Sequence, residues 1–243
     1  MQENSEKRAE GKLIVVDGTD GSGKATQTAL LVERLKQEGF TVRSIDFPQY
    51  GNKSAGPLEE YLIGKYGTPE EVGPWIPSIC YAFDRYDASF KIAKWISSGA
   101  IVVCDRYVSA NIGHQGGKIR NKQERIKFLQ WLDDLEYRLF GIPRPNITFI
   151  LKTSPEISKQ LSSQPEGEDK QRKRKVYLGT GKDRDIHDSN IEHLSQSLQS
   201  YLDAAEEFPE QFFVVECLDE KGGLKPREEI HEIVWQRVLQ ELR

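Results

Sequence analysis

Cysteine is scarce in this chain: three residues in 243, Cys80, Cys104 and Cys217, far apart and each in apolar surroundings. Such spacing makes neither a metal cluster nor a disulfide framework, so the thiols are expected to be small core residues. Long hydrophobic runs are missing as well. The longest, Leu13–Val16, Ala100–Cys104 and Ile147–Leu151, fall far short of the roughly 20 residues needed to cross a bilayer, so no membrane span is expected. Neither sign of charge dominates: 34 Lys plus Arg face 38 Asp plus Glu, for a net charge of −4 and a pI near 5.7. No global field exists to hold nucleic acid or an anionic membrane, and any basic function must be local. The N-terminal stretch MQENSEKRAEGK has no apolar segment of the secretory kind, and residues 1–10 are expected to form a frayed tail of a cytoplasmic protein.

What is present is enough apolar residue, 37% of the chain, to bury one substantial core. Short β-branched runs alternate with longer stretches of helical periodicity, the pattern of parallel strands joined by helical crossovers. The expected fold is therefore α/β, a three-layer sandwich around a five-stranded parallel sheet. The strands are read at Lys12–Asp17, Thr41–Phe47, Ala100–Asp105, Asn146–Thr153 and Gln211–Cys217, each nearly continuous in apolar residues as befits burial on both faces. Helices are read at Gly23–Glu38, Leu58–Lys65, Pro74–Ser98, Lys122–Phe140, Asn190–Glu207 and Arg227–Leu242, with Gly39, Gly99 and Gly141 as C-terminal caps. No repeat or long linker divides the chain, so residues 11–243 are expected to be one domain. The exception to the pattern is Ser162–Ser189, charged and nearly devoid of apolar residues, which reads as a functional or mobile insertion.

Directly after the first strand comes Gly18-Thr19-Asp20-Gly21-Ser22-Gly23-Lys24-Ala25-Thr26, and an amphipathic helix opens at once. That is the strand, glycine-rich loop and helix context of a P-loop. Glycines let the backbone wrap phosphate oxygens so that N–H groups and the positive helix end face the anion, and Lys24 bridges the outer phosphates. Lys24 is expected in a solvent-facing loop, serving charge and not packing. Ala25 stands where a Ser or Thr hydroxyl usually meets magnesium. The third strand delivers Asp105-Arg106-Tyr107 to the carboxyl edge of the sheet, where open α/β sheets bind ligands. There Asp105 could hold magnesium through water and Arg106 could clamp a phosphate, although alone the triplet would fit a surface ion pair equally well.

Together these motifs resemble those of the thymidylate kinase family, and the resemblance runs from about Lys12 to the C-terminus. It is carried by Asp20 inside the loop, by Phe47-Pro48-Gln49-Tyr50-Gly51, by Tyr81-Ala-Phe-Asp84-Arg85, and by Asp105-Arg-Tyr-Val-Ser-Ala-Asn111-Ile-Gly-His114-Gln115, all in the family's order. Nucleoside monophosphate kinases of this kind accept a residue without a hydroxyl after the lysine, followed by Thr-Gln, here Thr26-Gln27. The resemblance implies ATP along Gly18–Thr26 with Mg2+, held by Asp105 through water. It implies dTMP against Asp20, Phe47, Pro48, Tyr50, Tyr81, Arg85, Arg106, Asn111, His114 and Gln115, and a homodimer. Tyr81 and Arg85 are four apart and share a helix face, where an aromatic ring could stack on a pyrimidine and a guanidinium donate to its O4, unless the two are a core residue and a surface cation. Amides such as Asn111 and Gln115 match the donor and acceptor edge of thymine. Asp84 is read as orienting Arg85 or its neighbours, not as contacting the base. Tyr50 replaces an arginine common in the family, and His114 replaces a tyrosine near the deoxyribose.

Phosphoryl transfer asks the protein mainly for in-line positioning and positive charge. The P-loop carries no arginine, so the Ser162–Ser189 stretch is expected to act as a lid that lends Arg174 or Arg184, beside Lys24, Asp20 and Arg106 as catalytic residues. The alternatives are another P-loop nucleotide or deoxynucleoside kinase and a non-catalytic ATP-binding protein.

Overall fold

The computed structural model describes residues 11–163 and 191–242. Five strands, β1 Lys12–Gly18, β2 Val42–Asp46, β3 Ile101–Asp105, β4 Ile147–Lys152 and β5 Phe212–Glu216, form one parallel sheet in the order β2-β3-β1-β4-β5. Side chains alternate across it as the pleat dictates. Ile14 and Val16 of β1, Val103 of β3 and Phe149 of β4 join one core, with α1 (Lys24–Gln37) and the last helix, α9 (Arg227–Glu241). Leu13, Val15, Val102 and Cys104 point the other way, onto α4 (Trp75–Ser97) through Ala88 and Ile92. On that same face Ile150 of β4 meets α5 (Val108–His114), α6 (Lys122–Asp133) and α8 (Ile191–Glu207). Each such aliphatic side chain contributes roughly 1.5–3 kcal/mol by leaving water. The result is the three-layer α/β sandwich.

β2 departs from the expected apolar run. Arg43 and Ser44 are exposed because β2 lies at the sheet edge and pairs with β3 alone. Gly39, Gly99 and Gly141 do take left-handed backbone, with φ of 87°, 83° and 65°, just past their helices. The stretch read as one helix over 122–140 is in two parts: after α6 the chain turns as a π segment over Asp134–Leu139, with the Phe140 amide donating to the Leu135 carbonyl. Three shorter helices add to those expected: α3 (Pro69–Val72), capped by a reciprocal Thr68–Glu71 box, the seven-residue α5, and α7 (Pro155–Ser162), capped by Ser154. α2 spans Gly56–Leu62. Cys104 and Cys217 are fully buried, whereas Cys80 is half-buried beside the Leu58–Tyr61–Leu62 cluster. Among the described residues no helix is long and apolar enough to cross a membrane.

Candidate active site

β1 ends in the glycine-rich turn because Gly18, Gly21 and Gly23 adopt φ of 146°, 80° and 90°, which other residues rarely do. Gly21 also passes close to α7: a Cβ there would lie 2.0 Å from the Ser158 carbonyl oxygen. Ser158 is fully buried, and its hydroxyl joins those of Thr19 and Thr153 at 3.0 and 2.6 Å, tying the loop to the end of β4. Beneath the loop Asp17 accepts from the Gly18 amide, the Ser109 hydroxyl and the Tyr201 hydroxyl at 2.8, 2.6 and 3.0 Å. Tyr201 reaches Asp17 across Gly113, where a Cβ would lie 2.2 Å from its ring.

Lys24 corrects one expectation. It opens α1 instead of sitting in an exposed loop, it is 7% exposed, and its ammonium donates to the Thr19 carbonyl at 2.7 Å, with Asp20 at 3.7 Å. Burial, helped by the neighbouring Arg106 charge, lowers its pKa against Asp20, Asp17 and Asp105. Ala25 and Thr26 are exposed in the same cavity.

That cavity, about 710 Å³, is lined by the loop from Asp20 to Gln27, by Asp46, Phe47, Asp105 and Arg106, and by Leu161, Leu224, Lys225, Arg227 and Ile230. Arg106 holds left-handed backbone at φ 66°, pairs with Asp20, and meets His114 Nε2 at 2.8 Å. Burial opposes both charges of the pair, but they outweigh it for each other: the Asp20 carboxyl lies well below, and the Arg106 guanidinium well above, its ordinary pKa. Asp46 and Asp105 are register neighbours on β2 and β3. Burial raises the pKa of Asp105, and Asp17 and Asp46 add to it against Lys24 and Arg106.

The remaining expected acceptor residues lie on the β3 side of the sheet. Phe47 is buried with its ring 5.7 Å from that of Tyr107, Phe47–Pro48 is cis, and Tyr50 and Tyr81 pack against the Leu58–Tyr61–Leu62 cluster. Asp84 accepts from the Gln49 amide at 2.9 Å and so holds the segment after β2 in place, with the Arg85 charge beside it. Arg85 is not a surface cation: it is 1% exposed, bound to both carboxylate oxygens of Glu136 at 2.6 Å and to the Tyr107 carbonyl at 3.2 Å. Asn111, 1% exposed, donates to the Ser78 carbonyl at 3.1 Å and hydrogen-bonds Glu136. Gln115 follows one turn later, fully buried, with neither amide atom hydrogen-bonded to protein. Arg174 and Arg184 lie outside the described residues, as does nearly all of the Ser162–Ser189 stretch; Ser162 is the last residue of α7.

Sequence reasoning missed Glu136, Asp17, Ser158 and Tyr201. For Glu136 a signal existed: Phe128, Leu132 and Glu136 recur at i+4, which puts a carboxylate in the buried stripe of a helix. The π segment turns Glu136 alone inward, to Arg85. The Leu224–Arg227 border of the cavity had no motif to betray it.

A sequence model described as thymidylate kinase matches residues 16–221. The chain is similar to a thymidylate kinase of a Synechococcus species, 32% identical over 171 residues, 68% of this chain and 78% of the relative. It is also similar to one of an Exiguobacterium species, 33% identical over 147 residues, 60% of this chain and 65% of that protein's length. A solved thymidylate kinase from Candida albicans shares the fold, with a TM-score of 0.67, 19% identity, and 96% and 94% of the two chains covered. With the glycine-rich loop, the Asp20–Arg106 pair and the sheet order in place, and with the family's sequence pattern covering most of the chain, the chain belongs to the thymidylate kinase family.

Proposed function

We propose that the protein transfers the γ-phosphoryl group of ATP to dTMP, giving dTDP and ADP. The observation that carries this reading is that the phosphate loop with Lys24 and the Asp20–Arg106 pair line one cavity at the carboxyl edge of the sheet. The outer phosphates of ATP lie along 18–26, with the Leu224–Arg227 border toward the nucleoside. An oxygen of the dTMP phosphate attacks the γ-phosphorus, the bond to the bridging oxygen breaks, and ADP carries away the charge. A phosphate monoester with its second pKa near 6 is already ionised at neutral pH, so no general base is required. Lys24 and Arg106 supply positive charge on either side of the transferred group, and Asp20 keeps Arg106 turned toward the acceptor.

Magnesium fits the donor set. Asp105 and Asp46 are register neighbours that face one cavity, and Ala25 has no hydroxyl to offer. Asp105 would hold the ion through water, in keeping with its reluctance to dehydrate. When bound, magnesium neutralises charge on the outer phosphates.

The same reading makes residues 11–243 one catalytic domain, with 162–189 as a lid lending Arg174 or Arg184; Leu161, just before it, lines the cavity. It also makes the protein a cytoplasmic homodimer with no nucleic-acid or membrane partner. Three free cysteines suit a reducing compartment. A second copy would cover the outer face of α4, where Phe83 and Phe90, 52% and 64% exposed, join Tyr86 and Phe140 in one apolar patch. Sedimentation should show a Phe90→Glu variant as a monomer. The function is tested with ATP against dTMP, dUMP, dCMP, UMP and thymidine. The expected result is a preference for dTMP. Turnover of thymidine in its place would make the protein a deoxynucleoside kinase, and no turnover at all an ATP-binding protein.

A further inference from the structure

Arg106 is the one non-glycine residue with positive φ among the described residues. Its backbone is pinned, since its amide donates to the Val16 carbonyl at 3.1 Å and the Cys104 thiol donates to its carbonyl at 2.8 Å. Its guanidinium is held at two points, Nη2 by Asp20 and Nη1 by His114 Nε2. An arginine can only donate, so Nε2 accepts, and the His114 ring is neutral with its proton on Nδ1. The His193 ring from α8 stacks on it, with centroids 5.8 Å apart and planes at 24°.

We propose that His114 is a positioning residue: its neutral imidazole and the Asp20 carboxylate form a two-point clamp that fixes the Arg106 guanidinium toward the phosphates. This rests on the phosphoryl-transfer reading above. One carboxylate sets the distance of a guanidinium but leaves its plane free to turn, and a second acceptor on the other nitrogen fixes the plane. Ordering a long side chain before substrate arrives removes that cost from the reaction. The charged and titratable groups facing His114 are Asp20 from the loop, Arg106 after β3, His193 of α8 and Lys24 of α1. Burial, together with Arg106, His193 and Lys24, outweighs Asp20 and keeps the imidazole's pKa well below its ordinary value. A proton there would turn the acceptor into a second cation facing Arg106.

The test compares wild type, His114→Phe and His114→Gln across pH, with dTMP and ATP. The phenylalanine variant should lose about tenfold or more in kcat with little change in the KM for ATP. Glutamine, whose carbonyl can take the same bond, should recover several-fold of that loss. The ratio of wild-type to glutamine-variant kcat cancels titration of the substrate phosphate; it should be flat above pH 7 and fall on the acid side. Adding His114→Phe to Arg106→Ala should cost nothing further. A folded phenylalanine variant with wild-type kcat, losses that multiply in the double variant, or a glutamine variant as poor as phenylalanine would overturn the clamp. If His114→Phe fails to fold, the pH ratio with glutamine decides. Imidazole 15N NMR reads the clamp without turnover: Nε2 should be unprotonated and should shift in Arg106→Ala, and a proton on Nε2 would overturn it. A wild-type protein inert toward dTMP but with that NMR signature would overturn the function and leave the clamp standing.

Discussion

Around Gly18–Lys24 the chain builds its phosphate cradle largely from sequence neighbours, left-handed glycines and a lysine on its own loop carbonyl, with one distant tie through Ser158 of α7. The expected acceptor residues are instead held by charges from distant segments. Arg85 of α4 meets Glu136, 51 residues on, and Arg106 meets Asp20, 86 residues back. The first kind of site is specified by a short motif with its backbone geometry. The second depends on helices packing in one register, and a single substitution far from the cavity can disturb it.

The largest effect should come from the acceptor side. Glu136→Ala leaves the Arg85 charge buried and alone, and should destabilise the fold by about 3–5 kcal/mol in urea unfolding. Replacing both partners, Arg85→Met with Glu136→Leu, should recover most of that loss, because an apolar pair of similar volume avoids desolvating two charges. The stable double variant then sharpens the comparison. A KM for dTMP raised tenfold or more would mean that Arg85 also meets the base; an unchanged KM would make the pair scaffold alone.

On the donor side Lys24→Met should lower kcat at least roughly 100-fold, the scale of losing a charge that stabilises the transferred phosphoryl group. Its thermal midpoint should hold or rise, since a buried cation with a lowered pKa is removed. Near-wild-type turnover would break the phosphate-loop assignment.

Next come the glycines. Gly21→Ala should cost about 1–3 kcal/mol, because its φ of 80° is strained for alanine and its Cβ meets the Ser158 carbonyl. Gly23→Ala, with φ 90° and no atom within 4 Å of a Cβ, should carry only the backbone part, about 1–2 kcal/mol. Equal losses in chemical unfolding would mean that contact with α7 does not hold the loop.

The smallest effect is one of pH. His114 and His231 have folded pKa values below their ordinary value, mainly through burial. As pH falls below about 6.5 the unfolded chain takes up protons that the folded chain refuses. Stability present above that pH is therefore lost progressively toward acid. Thermal midpoints should fall over that range, and less steeply in His114→Gln.

By itself the sequence determined the alternation of strands and helices, the five-stranded parallel sheet, the phosphate loop and the Asp105–Arg106 edge. All of these rest on periodicity, glycine conformation and contiguous motifs, which are local properties of the chain. Tertiary structure alone decided that Lys24 is buried, that Asp84 holds the segment after β2, that Arg85 is closed off by Glu136, and that Asp17 ties β1 to α5 and α8. Apart from Lys24, which is buried against its own loop, each is a pairing between residues far apart in the chain, decided by which buried charge finds a partner when the helices pack. An ionisable group in a low-dielectric interior must be satisfied by whatever the fold brings within reach, and sequence spacing carries no record of that distance.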